Sequence, residues 1–154
     1  VTLFGESGIF WIALALFLMI PKKTRLMGFA MGLALLSGLI FGNGLMKNLF
    51  QRPRPYQADP ELACRLLWIE MSTDYSFPSG HTAAAFSLAT SLSITYPKWY
   101  VLAPSAVWAC GVGLARINQG VHYPSDVLTG AAIGVGCAFV NVYVNRWLNK
   151  VLFK

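Results

Sequence analysis

The chain has 154 residues, of which 56% are hydrophobic and only 12% charged, with a formal net charge of +6 at pH 7. Soluble domains carry roughly 25% charged residues, so this balance excludes an ordinary water-soluble globule and points to a bilayer. The positive charge is not a nucleic-acid footprint, because no basic stripe with interleaved aromatics falls on one periodic face, and no nucleic-acid partner is expected.

A membrane-spanning helix needs roughly 17 to 25 mostly apolar residues. The chain offers five candidates in order: Ser7 to Ile20, Met27 to Met46, His81 to Tyr96, Trp99 to Leu114, and Val127 to Trp147. The first is short. Because the chain opens at Val1 rather than Met, an N-terminal piece is expected to be absent and the first span to start further upstream. No cleavable signal pattern precedes it. The fold class expected is all-α, a polytopic membrane helix bundle forming one integral-membrane domain over residues 1–154. No fixed-period repeat, low-complexity tract or soluble linker divides it.

Small residues recur in the spans, at Gly28, Gly32, Gly38, Gly42 and Gly44 and again at Gly130, Gly134 and Gly136. In lipid they let helix backbones approach closely, and packing within one bundle is the expected use; oligomeric state is left open. Trp11, Trp99, Tyr100, Trp108, Tyr143 and Trp147 suit interfacial belts and bundle packing. Cys64, Cys110 and Cys137 have no CxxC spacing, so neither a zinc site nor a disulfide framework is indicated, and Cys64 stays unassigned.

One set of connections carries Lys22, Lys23, Arg25, Lys98, Arg146, Lys150 and Lys154. The alternate set carries Lys47, Arg52, Arg54, Arg65 and Arg116, together with all six acidic residues. The positive-inside rule makes the first set cytoplasmic. The second face, which holds three polar clusters, is then expected to point outward.

The first cluster is Lys47 to Pro55, reading KNLFQRPRP. Lys47 ends a span, and Arg54 lies between Pro53 and Pro55, which hold the backbone extended. A snorkelling Lys and a loop Arg are the plain explanation, but a guanidinium fixed in this way can also grip phosphate oxygens bidentately. Arg52, across Pro53, is expected to face headgroups or water.

The second cluster, Pro78 to His81, immediately precedes a span. A helix start exposes unpaired N–H groups and a positive dipole end, which together favour an anion. Gly80 permits close backbone approach to a ligand. Ser79 is a phosphate donor or simply an N-cap. His81 is an ionisable group at the membrane boundary, where such groups are often functional.

The third cluster, Arg116 to Asp126, repeats the arrangement. Pro124 suits a first helical turn, and Ser125 and Asp126 favour its start. Asp126 is either a helix-start carboxylate or a partner for one ring nitrogen of His122, four residues before it, which would make His122 a nucleophile. Two histidines and an aspartate are also a possible metal set. The company of Lys47, Arg54 and Arg116 would repel a divalent cation and do its electrostatic work, so no metal is expected. Glu70 and Asp74 in the long loop either guide substrate or only solvate the loop, and solvation is the expectation adopted.

Taken together, K-x6-R-P (Lys47, Arg54, Pro55), P-S-G-H (Pro78 to His81) and R-x5-H-x3-D (Arg116, His122, Asp126) resemble the three motifs of the type 2 phosphatidic acid phosphatase family in order and spacing. One departure is Ala115, where the family often has Ser. The resemblance implies a six-helix bundle with its site at the outer membrane surface, formed by active-site loops over 47–81 and 115–126. It also implies cofactor-free, metal-independent double displacement. His122, assisted by Asp126, would attack phosphorus while His81 protonates the leaving oxygen, and water would then hydrolyse a phosphohistidine. Lys47, Arg54, Ser79, Gly80 and Arg116 would hold the phosphoryl oxygens.

By the same analogy the protein is expected in a bacterial plasma membrane with its site on the extracytoplasmic face. Its expected substrate is undecaprenyl diphosphate or phosphatidylglycerophosphate, with phosphatidic acid and a lipid A phosphate open. Two other readings compete. A non-catalytic lipid-phosphate binding or transport protein is expected to have lost a histidine or arginine, and none is lost. Vanadium-dependent haloperoxidases share the motifs, but they are soluble and much larger.

Overall fold

The computed structural model describes residues 9–37, 40, 45–59, 61 and 74–152. Cys64, Glu70, Gly38, Gly42 and Gly44 lie outside these described residues. Among the described residues the helices are, in order, α1 (Ile9–Met19), α2 (Arg25–Ser37), α3 (Lys47–Phe50), α4 (Pro55–Ala58), α5 (Gly80–Thr95), α6 (Trp99–Asn118) and α7 (Pro124–Leu152). Every described element is helical, as the composition predicts. Each of the five expected spans contains a long helix, although the second, Met27 to Met46, is described continuously only as far as Ser37.

Among the described residues, two helical stretches are long and apolar enough to cross a bilayer by themselves, Trp99–Asn118 and the Pro124–Val144 part of α7. Large apolar side chains on both point outward: Trp99, Val107, Leu114, Leu128 and Tyr143 are all exposed. Water would penalise that surface, whereas lipid tails solvate it. Buried positions on α6 are small instead, at Ala109 and Gly113.

The centre of the bundle is α5, which packs against α2, α6 and α7. Its buried face is made of short side chains, Thr82, Ala83, Ala85, Ser87, Ala89 and Ser91, with Leu88 the one large member. Such a face brings neighbouring backbones close and gains dispersion contacts that lipid cannot match. Gly130 and Gly134 on α7 supply the complement. A Cβ added at Gly130 would lie 2.5 Å from the Ser79 carbonyl oxygen, and one at Gly134 would lie 2.2 Å from that of Ala83. Helix α7 therefore rests directly on the first turn of α5. That contact places the start of one helix beside the start of the other.

The end of α6 is set by Gly120. With φ at 64° it takes the left-handed conformation that side chains resist. Its N–H bonds to the Ile117 carbonyl at 2.9 Å, and that of Val121 bonds to the Arg116 carbonyl at 3.3 Å. This double closure satisfies the last carbonyls of the helix and turns the chain back towards α7. Arg116, expected within the 115–126 loop, instead stands in the last turn of α6, because the helix runs on until that glycine.

Candidate active site

At the α5 and α7 starts, polar side chains are buried together: Lys47, Arg54, Ser76, Ser79, His122 and Asp126. Buried charges are tolerable only when paired and hydrogen-bonded, and each of the described contacts follows that rule.

Arg54 is held by its backbone first. Its extended conformation, φ −74° and ψ 154°, follows from the flanking prolines and caps α4, and its N–H donates to Gln57 Oε1 at 2.8 Å. The guanidinium then donates through Nε to the Asp74 carbonyl (3.1 Å), through Nη1 to the Val121 carbonyl (3.1 Å) and through Nη2 to Asp74 Oδ1 (2.5 Å). Lys47 Nζ forms an ion pair with the other oxygen of the same carboxylate. Asp74, expected only to solvate its loop, thus bridges the two cations that the sequence assigns to phosphate. Nothing in its local sequence announces this, because Asp74 stands 27 and 20 residues along the chain from Lys47 and Arg54.

Ser79 occupies the N-cap position of α5 in an extended conformation, but its hydroxyl bonds to Thr82 Oγ1 at 2.9 Å rather than capping the helix. Its N–H donates to the Asp126 carbonyl at 3.1 Å, which ties the P-S-G-H segment to α7. Gly80 is exposed, with open space where a Cβ would stand. His81 follows it in the first turn of α5, half-buried. Arg116 is partly buried and has contacts of its own, while its buried Nε–H meets no acceptor among the described residues.

His122 is 4% exposed. Its Nδ1 lies 2.8 Å from the Ser76 carbonyl oxygen, an acceptor only, so Nδ1 carries the proton and Nε2 the lone pair. The expected bond to Asp126 is not made: Nδ1 and Oδ2 are 3.7 Å apart. The reason lies in the helix boundary. Because α7 begins at Pro124, His122 stands outside it, and helical four-residue spacing does not apply to the pair. Asp126 instead spends its oxygens elsewhere. Oδ2 accepts the Ser76 hydroxyl at 2.5 Å and the Tyr123 N–H at 2.8 Å, the second being a helix-start contact. Oδ1 accepts Arg52 Nη1 at 2.7 Å.

That last contact corrects the expectation for Arg52. Its guanidinium lies 3.9 Å over the Tyr123 ring, and Nη1 also reaches Ser125 Oγ at 2.7 Å. It is turned inward onto α7, not outward to headgroups. The left-handed turn at Gln51, with φ 43°, ends α3 and redirects the chain just before it.

Burial lowers the His122 pKa from 6.5 to about 4, with the Arg54 charge adding to the effect and Lys47 contributing less; Asp126 and the Ser76 carbonyl oppose it. The imidazole is therefore neutral at physiological pH. With its proton committed to Nδ1, it presents a nucleophilic Nε2 beside two strong cations.

A helical membrane bundle with a buried basic and histidine cluster at one end is the class that the fold and site define. The chain belongs to the PAP2 superfamily, whose family model matches residues 24–150. The resemblance read from the three motifs is thereby borne out. An undecaprenyl-diphosphatase of Sulfolobus acidocaldarius is 30% identical over 135 residues, covering 87% of this chain and 63% of that protein. The chain thus spans less than two thirds of the length of that relative.

Among solved structures, a PAP2 type phosphatidylglycerolphosphate phosphatase from Bacillus subtilis superposes with a TM-score of 0.70 at 26% identity, covering 92% of this chain and 72% of the other. LpxE of Aquifex aeolicus superposes with a TM-score of 0.64 at 32% identity, covering 89% and 78%. The protein is an integral membrane protein of this family.

Proposed function

We propose that the protein hydrolyses a phosphate or diphosphate on a membrane lipid, with His122 as the nucleophile. The observation that carries this reading is the state of His122: neutral, buried, protonated on Nδ1 by virtue of the Ser76 carbonyl, and set beside Lys47 and Arg54.

Substrate binding starts with an exchange of anions. The phosphoryl oxygens take the place of the Asp74 carboxylate on Lys47 and Arg54, and gain the N–H groups at the start of α5 and the Arg116 guanidinium. Nε2 of His122 then attacks phosphorus, and the bond from phosphorus to the leaving oxygen breaks. His81 gives that oxygen its proton. Water next attacks the phosphohistidine, His81 takes a proton from it, and inorganic phosphate leaves with Nε2 regenerated. Cations concentrated around the phosphoryl group stabilise its charge in the transition state. Asp126, 3.7 Å from Nδ1, supplies a negative field to the phosphorylated ring.

Undecaprenyl diphosphate is the first substrate candidate and phosphatidylglycerophosphate the second, supported by the names of the relatives and by a site at a helix-bundle end where a lipid tail can stay among the helices. The membrane is a bacterial plasma membrane, and the site faces its outer side.

The test is phosphate release from a panel of undecaprenyl diphosphate, phosphatidylglycerophosphate, phosphatidic acid and a lipid A phosphate in detergent with EDTA, comparing wild type with His122→Ala. Release by wild type alone supports the reading and ranks the substrates. Equal release, or loss of release in EDTA that added divalent ions restore, contradicts it.

A further inference from the structure

Towards the bundle end opposite the site lies an apolar groove of 470 Å³. Its walls are Leu14 of α1, Leu88 and Leu92 of α5, and Val101, Pro104 and Trp108 of α6, with Tyr100 at the α6 start. Helix α1 packs on α2 and α6 packs on α5, and the groove runs between α1 and α6. Behind Leu88 stand the packed Ala15 and Met31, which make its floor firm. Ser105 also lines it, but the hydroxyl donates to the Leu102 carbonyl of its own helix at 3.1 Å and so adds no polar demand.

The same end is cationic. Lys22 and Lys23 lie between α1 and α2, Lys98 is the N-cap residue of α6, and all three are exposed. The Tyr96 hydroxyl donates to the Lys23 carbonyl at 3.2 Å, which ties the two connections together. Residues 20–25 and 96–99 contain no Asp or Glu. None of the three lysines has an ion-pair partner among the described residues. Nor are they needed as caps, because the Thr24 hydroxyl donates to the Leu18 carbonyl at 2.9 Å and Arg25 Nε to the Met19 carbonyl at 3.2 Å, closing the end of α1.

We propose that this groove binds one anionic glycerophospholipid of the leaflet opposite the site, with its phosphate on Lys22, Lys23 and Lys98 and an acyl chain along α6 as far as Trp108.

Charge and depth select that occupant. Three lysines with no acid among them attract a net-negative headgroup, and a zwitterionic one much less. Tyr96, Trp99 and Tyr100 are exposed at the mouth, where an aromatic belt marks headgroup depth. From there the groove follows about 12 Å of α6, from Tyr100 to Trp108, into the apolar layer. The tail of a substrate held at the site starts from the other end, because Arg116 stands roughly two helical turns beyond Trp108. An isologous second copy would set the lysines against their own kind. A lipid seated here bridges α1 and α6 across α5, the helix whose far end carries P-S-G-H.

The experiment uses the whole chain in detergent micelles doped with mid-chain-brominated phosphatidylglycerol or phosphatidylcholine, since bromine in contact with an indole quenches its fluorescence. The chain has five tryptophans, so the part of the quench lost in Trp108→Phe reports the groove. That subtraction is made for wild type, for the combined Lys22→Gln, Lys23→Gln and Lys98→Gln variant, and for Ser105→Phe, which fills the groove and keeps the charges. Circular dichroism establishes that each variant is folded.

The expected result for wild type is Trp108 quenching that half-saturates at a mole fraction of phosphatidylglycerol at least about fivefold below that of phosphatidylcholine. The lysine variant brings the two lipids within about twofold, and Ser105→Phe loses the Trp108 quench. Equal quenching by both lipids, or a preference that survives in the lysine variant, overturns the proposal and leaves a plain lipid-facing surface. A preference unchanged in Ser105→Phe overturns it by showing headgroup attraction without a seat for the chain. Protection of Trp108 by undecaprenyl diphosphate added to His122→Ala protein overturns it in favour of the substrate tail. Absence of quenching by either lipid overturns it as well, and a dimer in sedimentation would then assign the groove to a second copy.

Discussion

Lys47 and Arg54 share the carboxylate of Asp74, and a phosphoryl group gripped by the same cations has to displace it. The Asp74 side chain is 45% exposed, so water takes up part of the released charge and the exchange is cheap. Asp74→Asn is predicted to tighten inhibition by inorganic phosphate by roughly 3- to 10-fold, because fewer molecules start with the site self-occupied. Weaker phosphate inhibition in that variant would mean that Asp74 serves to orient the cations. For His122, with a folded pKa near 4 against 6.5 when unfolded, the unfolded chain takes up the proton first as pH falls. Stability from this group is therefore fully present above about 6.5 and is lost as pH drops towards 4, and kcat/KM retains a neutral nucleophile down to about pH 4. A pH-rate profile whose His122-dependent acid limb lies near 6.5 would contradict the assignment. The sequence placed Lys47, Arg54, Ser79, His122 and Asp126 in one cluster because their short motifs flank apolar runs. It concealed Arg52, Asp74 and Ser76. In the run R-P-R-P the flanking prolines mark Arg54 and leave Arg52 looking solvent-facing, and only the fold turns the one onto Asp74 and the other onto Asp126.

Helices α5 and α7 carry the site because their starts are pressed together. Gly134→Ala would force a Cβ against the Ala83 carbonyl, where 2.2 Å is available, whereas Gly136 has open space. Gly134→Ala is predicted to destabilise the protein by about 1 to 3 kcal/mol, seen as a lower melting temperature in detergent. Gly136→Ala should melt as wild type does, and equal melting of all three proteins would show that the close contact is not needed. Gly130→Ala presses on the Ser79 carbonyl instead, so its loss of activity should exceed its loss of stability. Apolar runs and glycine spacing made the existence of the long helices and their close packing legible. Their ends were less so. The carry-through of α6 to Asn118 depends on Gly120 entering a left-handed turn, whereas α7 starts where Pro124, Ser125 and Asp126 indicate, with His122 just outside it.

In the bilayer, the outward-facing Trp99, Val107 and Tyr143 and the grouping of the polar clusters at one end of the bundle favour a protein that meets its substrate at a membrane surface. Our proposal that this end lies outside follows the distribution of Lys and Arg. In whole cells of a Cys64→Ser background, Asn118→Cys is predicted to react with a membrane-impermeant maleimide and Lys98→Cys to react only after permeabilisation; the reverse pattern would place the site in the cytoplasm. The central claim is the covalent role of His122, and the most direct measurement is a rapid acid-free quench during turnover of a ³²P-labelled lipid diphosphate, followed by peptide mapping. The prediction is an acid-labile, base-stable phosphoryl group on His122 that accumulates or vanishes with substrate and is lost in His122→Ala. Turnover with no label on the protein, or label that persists in His122→Ala, would contradict the account.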